Sequence, residues 1–79
     1  LRRARVLVAE DEPVIALDLA SAVEEAGGCV VGPAASVQQA LRLVAADGIC
    51  AAILDVDLLD GDVGPVIEEL VRRSVPVII

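Results

Sequence analysis

Short apolar runs alternate with longer amphipathic segments along the whole chain. The runs have the length and the β-branched content of buried strands, whereas the segments between them carry apolar residues at helical spacing. Strands and helices that alternate in this way form βαβ units, in which helices cover both faces of a parallel sheet. We therefore predict an α/β protein. The predicted strands are residues 6–9, 29–31, 51–54 and 75–79, and the predicted helices are residues 13–26, 36–47 and 65–73.

Local signals mark several element boundaries. Ser36, with Gln39 three residues later, has the spacing of a capping box and predicts the start of the second helix, which should end at Asp47-Gly48. Gly32-Pro33 is expected to break the second strand. Helical spacing in the first helix predicts one buried face, made of Ile15, Leu19, Ala22, Val23 and Ala26. The third helix is predicted to carry the i,i+4 ion pairs Glu68–Arg72 and Glu69–Arg73.

The size and the charge of the chain exclude several classes of function. Its 79 residues suffice for one domain, residues 1–79, and not for two. Six arginines stand against thirteen acidic residues, for a net charge of −7, and the chain has no lysine or histidine. Such a surface repels polyanions, so we expect no direct contact with nucleic acid. The lack of histidine also excludes a Ser-His-Asp site and an HExxH zinc site.

The apolar runs are short and the cysteines are few. No run approaches the roughly 18 residues that span a bilayer, and the chain does not begin like an export signal. We therefore expect a soluble, cytoplasmic protein without membrane contact. Cys29 and Cys50 are expected to be reduced, small buried side chains. If their strands flank the first strand, two strand spacings separate them, which is too far for a disulfide.

Acidic residues follow two of the predicted strands at the point where each strand ends. Glu10 and Asp11 come after the first strand, and Asp55 comes after the third. If these strands are neighbours, the three carboxylates converge, and like charges so close are costly unless a cation neutralises them. Carboxylate oxygens favour Mg²⁺ or Mn²⁺. The sequence therefore predicts a magnesium site, at which Asp55 is the best placed nucleophile for a phosphoryl group.

Other acidic residues of the same loops have a plainer explanation. Glu12, Asp60 and Asp62 do not end an apolar run, so a charge there costs little. We expect Asp60 and Asp62 to cap the third helix or to face water.

Four motifs lie at these strand ends and turns: VLVAEDEP (6–13), the helix end Gly27-Gly28, VVGPAAS (30–36) and AAILDVDLLDGD (51–62). Together they resemble the receiver domain of bacterial two-component response regulators, the CheY-like fold. The stretch IALDLASAVEEAGGCVVGPAASVQQAL (15–41) is similar, more narrowly, to stand-alone receivers of alphaproteobacteria. The resemblance implies a flavodoxin-like, doubly wound parallel sheet of order 2-1-3-4 and a role in phosphorelay signal transduction.

The resemblance also implies roles for individual residues. Asp55 would accept a phosphoryl group from a histidine kinase or a histidine phosphotransferase. Glu10 and Asp11 would hold Mg²⁺ together with Asp55, and Asp57 would lend its backbone carbonyl to the metal. Such a receiver is a phosphoprotein that switches a partner-binding surface, and it is not a turnover enzyme.

The family pattern extends beyond the residues given. Its fifth strand, its last two helices, and its switch hydroxyl and lysine would all lie after Ile79, so we expect an incomplete receiver. An apolar fourth strand at a bare sheet edge would then favour a homodimer through that edge.

Two other functions stay open. Asp55 and Asp57 also resemble the DxD pair of haloacid-dehalogenase-type phosphatases, although in that family the pair ends the first strand. A degenerate receiver that serves only for dimerisation is the other alternative. Phosphorylation of the protein would separate it from an active receiver.

Overall fold

Four parallel strands form the central sheet of the computed structural model, which describes residues 3–46 and 48–79. The elements in chain order are β1 (Arg5–Ala9), α1 (Pro13–Glu25), β2 (Cys29–Ala34), α2 (Val37–Ala45), β3 (Ile49–Leu54), β4 (Asp57–Leu58), β5 (Gly61–Asp62), α3 (Gly64–Arg72) and β6 (Val77–Ile78). The sheet has the order β2-β1-β3-β6. This confirms the predicted α/β class and the predicted order, with β6 as the fourth strand. The predicted helix end at Asp47 lies outside the described residues.

Strand β1 is apolar from Val6 to Ala9 because it lies at the centre of the sheet. It pairs with β2 on one side and β3 on the other, and helices cover both of its faces. Leu7 and Ala9 belong to the larger core, which includes residues of α2 and α3, such as Val44 and Leu70. The smaller core, on the opposite face, consists of Val6, Val8 and Val23.

Strand β2 passes through Gly32-Pro33 and does not end there, so the predicted strand break is wrong. The pairing with β1 steps over both residues, which lie opposite Val8 as a bulge. Gly32 has a φ of +100°, and a Cβ at this position would lie 2.7 Å from the backbone nitrogen of Ala34. Proline is tolerated because β2 is an edge strand, where a missing N–H need not break the sheet.

The N-terminus of α2 has the predicted Ser36 cap. The Gln39 amide donates to Ser36 Oγ at 3.0 Å. In a capping box the Gln39 side chain would accept from the amide of the N-cap residue, Ser36. Here it accepts instead from the amide of the preceding residue, Ala35, at 3.1 Å.

The segment between β3 and α3 forms a small antiparallel hairpin that the sequence did not predict. Strands β4 and β5 have two residues each and pair Asp57 with Asp62 and Leu58 with Gly61. Leu58 and the adjoining Val63 are buried in the larger core. The hairpin is therefore packed against the domain despite its acidic composition.

Two local predictions need correction. In α1, Ala16 and Val23 are buried, whereas Ile15, Ala22 and Ala26 are exposed, because the helix lies over β1 and β2 and its other flanks have no neighbour among the described residues. In α3, Arg72 pairs with Glu69 and not with Glu68, while the predicted Glu69–Arg73 pair is present.

The remaining predictions concern the cysteines and the membrane. Cys29 and Cys50 are free, as expected, but both are exposed, because they lie near the starts of strands that flank β1. Within residues 3–46 and 48–79 the longest helix has 13 residues, fewer than the roughly 20 apolar residues that a membrane-spanning helix needs.

Candidate functional site

The pairing of β1 with its neighbours extends one residue beyond the strand and so positions the acidic loops. Ala9 lies opposite Leu54 in the β1–β3 register. The Asp55 amide donates to the Ala9 carbonyl at 2.8 Å, and the Glu10 amide donates to the Ala34 carbonyl at 2.9 Å. These backbone bonds hold Glu10 and Asp55 side by side at the carboxyl edge of the sheet, where parallel α/β proteins bind their ligands.

Three carboxylates meet at this edge. One side-chain oxygen from each of Glu10, Asp11 and Asp55 lies within 4.8 Å of the others, and all three residues are partly buried. This confirms the prediction that the three carboxylates lie close together. We call this cluster of three residues the acidic site.

The electrostatics of the acidic site show that its charge is poorly compensated. Burial raises the pKa of Glu10 above its ordinary 4.5, and the neighbouring carboxylates of Asp55 and Asp11 raise it further. One hydrogen bond opposes the shift, because the Glu12 amide donates to Glu10 Oε2 at 3.1 Å. Within the described residues none of the three carboxylates pairs with an arginine.

These features fit a hard divalent cation. The donors are all oxygens, they lie close enough to share one ion, and nothing else on the described chain neutralises them. One carboxylate oxygen of Asp55, Oδ1, accepts a hydrogen bond from the Val56 amide at 2.9 Å. That bond fixes the orientation of the carboxylate.

The other acidic residues of the loop have separate positions. Asp57 lies in β4 with an exposed side chain, and the role of its backbone carbonyl stays a prediction. Asp62 Oδ1 accepts from the Gly64 amide at 2.6 Å, which caps α3 as expected.

Asp60 does not cap α3, but it is exposed, which agrees with the other half of the prediction for this residue. Its carboxylate accepts from the amides of Val37 and Gln38, at 2.6 and 3.2 Å, and so caps α2. These bonds lower the pKa of Asp60 below its ordinary 3.8, with the Val37 amide as the main cause. No local pattern could have indicated this contact, since its partners lie 22 and 23 residues earlier in the chain.

A groove of about 380 Å³ opens beside the acidic site. Its lining includes Glu10 and Asp11 of the acidic site, Pro13 and Ala16 of α1, and Pro33 of β2. The site is thus reached from the surface of the protein, past a mostly apolar wall.

Comparison with solved structures identifies relatives of this chain. The response regulator PhyR from Brucella abortus superposes with a TM-score of 0.84 at 34% identity over 96% of the chain. The BeF3-activated form of SdrG from Pseudomonas melonis Fr1 gives a TM-score of 0.76 at 40% identity, also over 96%. PhyR from Bartonella quintana, in a co-crystal with the anti-sigma factor NepR, gives 0.81 at 29% identity over 92%. No family model and no curated protein matches the chain.

The sheet order and the acid pair after β1 thus define an α/β protein of the CheY-like class. Within this class the chain is similar to the receiver domains of response regulators, namely those of PhyR and SdrG. It spans 33% of the Brucella PhyR chain and 65% of the SdrG chain.

Proposed function

We propose that this receiver is the phosphoacceptor of a two-component system and that Asp55 takes the phosphoryl group. The observation that carries the proposal is the meeting of Glu10, Asp11 and Asp55 at the ends of β1 and β3. A carboxylate that served only for solubility would not be held beside two others at this cost in repulsion.

The reaction we propose is a direct transfer from a phosphohistidine. An oxygen of Asp55 attacks the phosphorus atom, a P–O bond forms, the P–N bond breaks, and the imidazole that leaves takes up a proton. The hydrogen bond from the Val56 amide holds Oδ1, so the other oxygen, Oδ2, is the one available for attack.

Glu10, Asp11 and Asp55 would hold the Mg²⁺ or Mn²⁺ that the transfer requires, with the Asp57 carbonyl as a further ligand. A bound divalent cation supplies neutralisation of the charge on the phosphoryl oxygens. Glu10 and Asp11 do not react themselves in this scheme. Their role is to bind the cation next to Asp55.

We further propose that the phosphorylated domain is the signal and that its readout is a protein partner. The domain would accept one phosphoryl group per molecule and would not turn over like an enzyme. The Bartonella PhyR relative is an anti-anti-sigma factor crystallised with an anti-sigma factor, which favours a protein as the output partner here. The chain spans 31% of that relative.

The test is phosphorylation in Mg²⁺ by a small acyl phosphate or by a phosphorylated histidine phosphotransferase. We expect one phosphoryl group per protein molecule, and none in Asp55→Asn. Asp57→Asn is the matched control, because it removes a carboxylate from the same loop and leaves the backbone carbonyl in place. It should be labelled like the wild type.

The control also separates the alternatives. A DxD phosphatase would need the Asp57 carboxylate and would release inorganic phosphate in many turnovers. A degenerate receiver would show no label in any variant. Labelling that survives in Asp55→Asn would refute the assignment of the nucleophile.

A further inference from the structure

The backbone around Asp57 lies in a hairpin that is too small to be stable by itself. Its strands, β4 and β5, have two residues each, and even longer isolated hairpins are marginal in water. Residues outside the hairpin must therefore hold it. Two of the contacts that do so are apolar, since Leu58 and Val63 are buried in the core.

The turn of the hairpin is held by the loop and helix that follow β2. The Leu59 amide donates to the Ala35 carbonyl at 3.1 Å. The two carboxylate oxygens of Asp60 accept from the amides of Val37 and Gln38, the first two residues of α2, at 2.6 and 3.2 Å. Three hydrogen bonds thus connect the turn to residues 35–38, and two of them depend on one side chain.

Helix α2 has a local cap of its own in addition to Asp60. Ser36 already occupies the N-cap position and accepts from the Gln39 amide at 3.0 Å, and the first helical backbone bond runs from the Ala40 amide to the Ser36 carbonyl. Asp60 takes the two amides that point out of the helix end, where a negative charge is favourable. What this contact adds is a fixed position for the hairpin.

We propose that Asp60 is a positioning residue for the acidic site. By accepting the first two amides of α2, it fixes the turn of the hairpin, and the hairpin in turn fixes the backbone of Asp57, whose carbonyl lies two residues after Asp55. The inference rests on the proposed function in one respect, namely that the Asp57 carbonyl takes part in binding Mg²⁺.

The test is the Mg²⁺ affinity of three variants, measured by NMR titration of backbone amides. Asp60→Ala removes both hydrogen bonds, and we expect it to weaken Mg²⁺ binding on the order of 10-fold, the lower end of the effect of groups that orient metal ligands. Asp60→Asn keeps one acceptor and should lie between Asp60→Ala and the wild type. The concentration of Mg²⁺ at half-maximal phosphorylation should rise by the same factors, with a smaller change in the rate at saturating Mg²⁺.

Two controls isolate positioning from stability and from charge. Ser36→Ala removes the local cap of α2 and leaves the hairpin contacts in place. Asp62→Asn removes the same charge as Asp60→Asn from the same hairpin, and its amide oxygen can still accept from the Gly64 amide. Both should bind Mg²⁺ within about twofold of the wild type.

Each outcome decides the inference. Wild-type affinity in folded Asp60→Ala overturns it, and so does an equal loss in Ser36→Ala or Asp62→Asn. If Asp60→Ala does not fold, Asp60→Asn decides on the same criteria. A wild type that binds Mg²⁺ but is not labelled would refute the phosphoacceptor function and leave this inference standing. A wild type that does not bind Mg²⁺ would overturn both.

Discussion

Replacing Asp55 by asparagine should stabilise the metal-free protein, because it removes a charge from the acidic site. The side-chain oxygens of Glu10, Asp11 and Asp55 lie within 4.8 Å of one another. At that distance two unit charges repel by about 0.9 kcal/mol in the dielectric of water and by about 3.5 kcal/mol at an effective constant of 20. The residues are only partly buried, so we take the smaller value as the lower bound. Two such pairs are lost in Asp55→Asn, which gives a gain of about 2 kcal/mol.

Magnesium should reverse the order of stability. A ligand that binds only the folded state stabilises it by about 2.7 kcal/mol at 100 times its dissociation constant. The wild type should gain this amount, whereas Asp55→Asn has lost one of the three carboxylates and should gain much less. The variant is thus more stable in a chelator and less stable in saturating Mg²⁺.

Thermal unfolding followed by far-UV circular dichroism measures both states, since the chain has no aromatic residue for fluorescence. A change of about 2 kcal/mol corresponds to a shift in Tm of roughly 8 to 16 °C for a domain of this size. Asp18→Asn is the control, because it removes an exposed carboxylate on α1. A lower Tm for Asp55→Asn in the chelator, or an equal gain from Mg²⁺ in both proteins, would refute the reasoning.

Three further predictions concern the rest of the domain. Leu70→Ala opens a cavity in the larger core, where Leu70 is fully buried, and should cost about 2 to 5 kcal/mol of unfolding free energy in urea titrations. Hydrogen bonds from Arg72 and Arg73 lower the pKa of Glu69 to about 2. The stability that these bonds contribute is fully present above the ordinary pKa of 4.5, and it is lost as the pH falls through the lowered value. Glu69→Gln should therefore lower the Tm near neutral pH and leave it unchanged near pH 2. Strand β6 is an edge strand on which Ile78 is 63% exposed, so we expect self-association that Ile78→Lys abolishes in light scattering, and a monomeric wild type at high concentration would contradict this.

The sequence by itself predicted the features that depend on neighbouring residues. The alternation of strands and helices and the cap at Ser36 follow from signals within a few positions of each other, and the structure confirms them. The meeting of Glu10, Asp11 and Asp55 could also be predicted. It required only that the two strands be neighbours, since parallel strands end at the same edge of a sheet.

Only the tertiary structure decided which partners distant residues find. Asp60 looks like a cap for the helix that follows it, yet it binds the start of α2 because the buried Leu58 and Val63 draw the hairpin onto the core. Gly32-Pro33 looks like a strand break, yet β2 continues because β1 supplies a pairing edge on both sides of the bulge. In both cases a local preference is overridden, because long-range packing contributes more free energy than a single turn signal does.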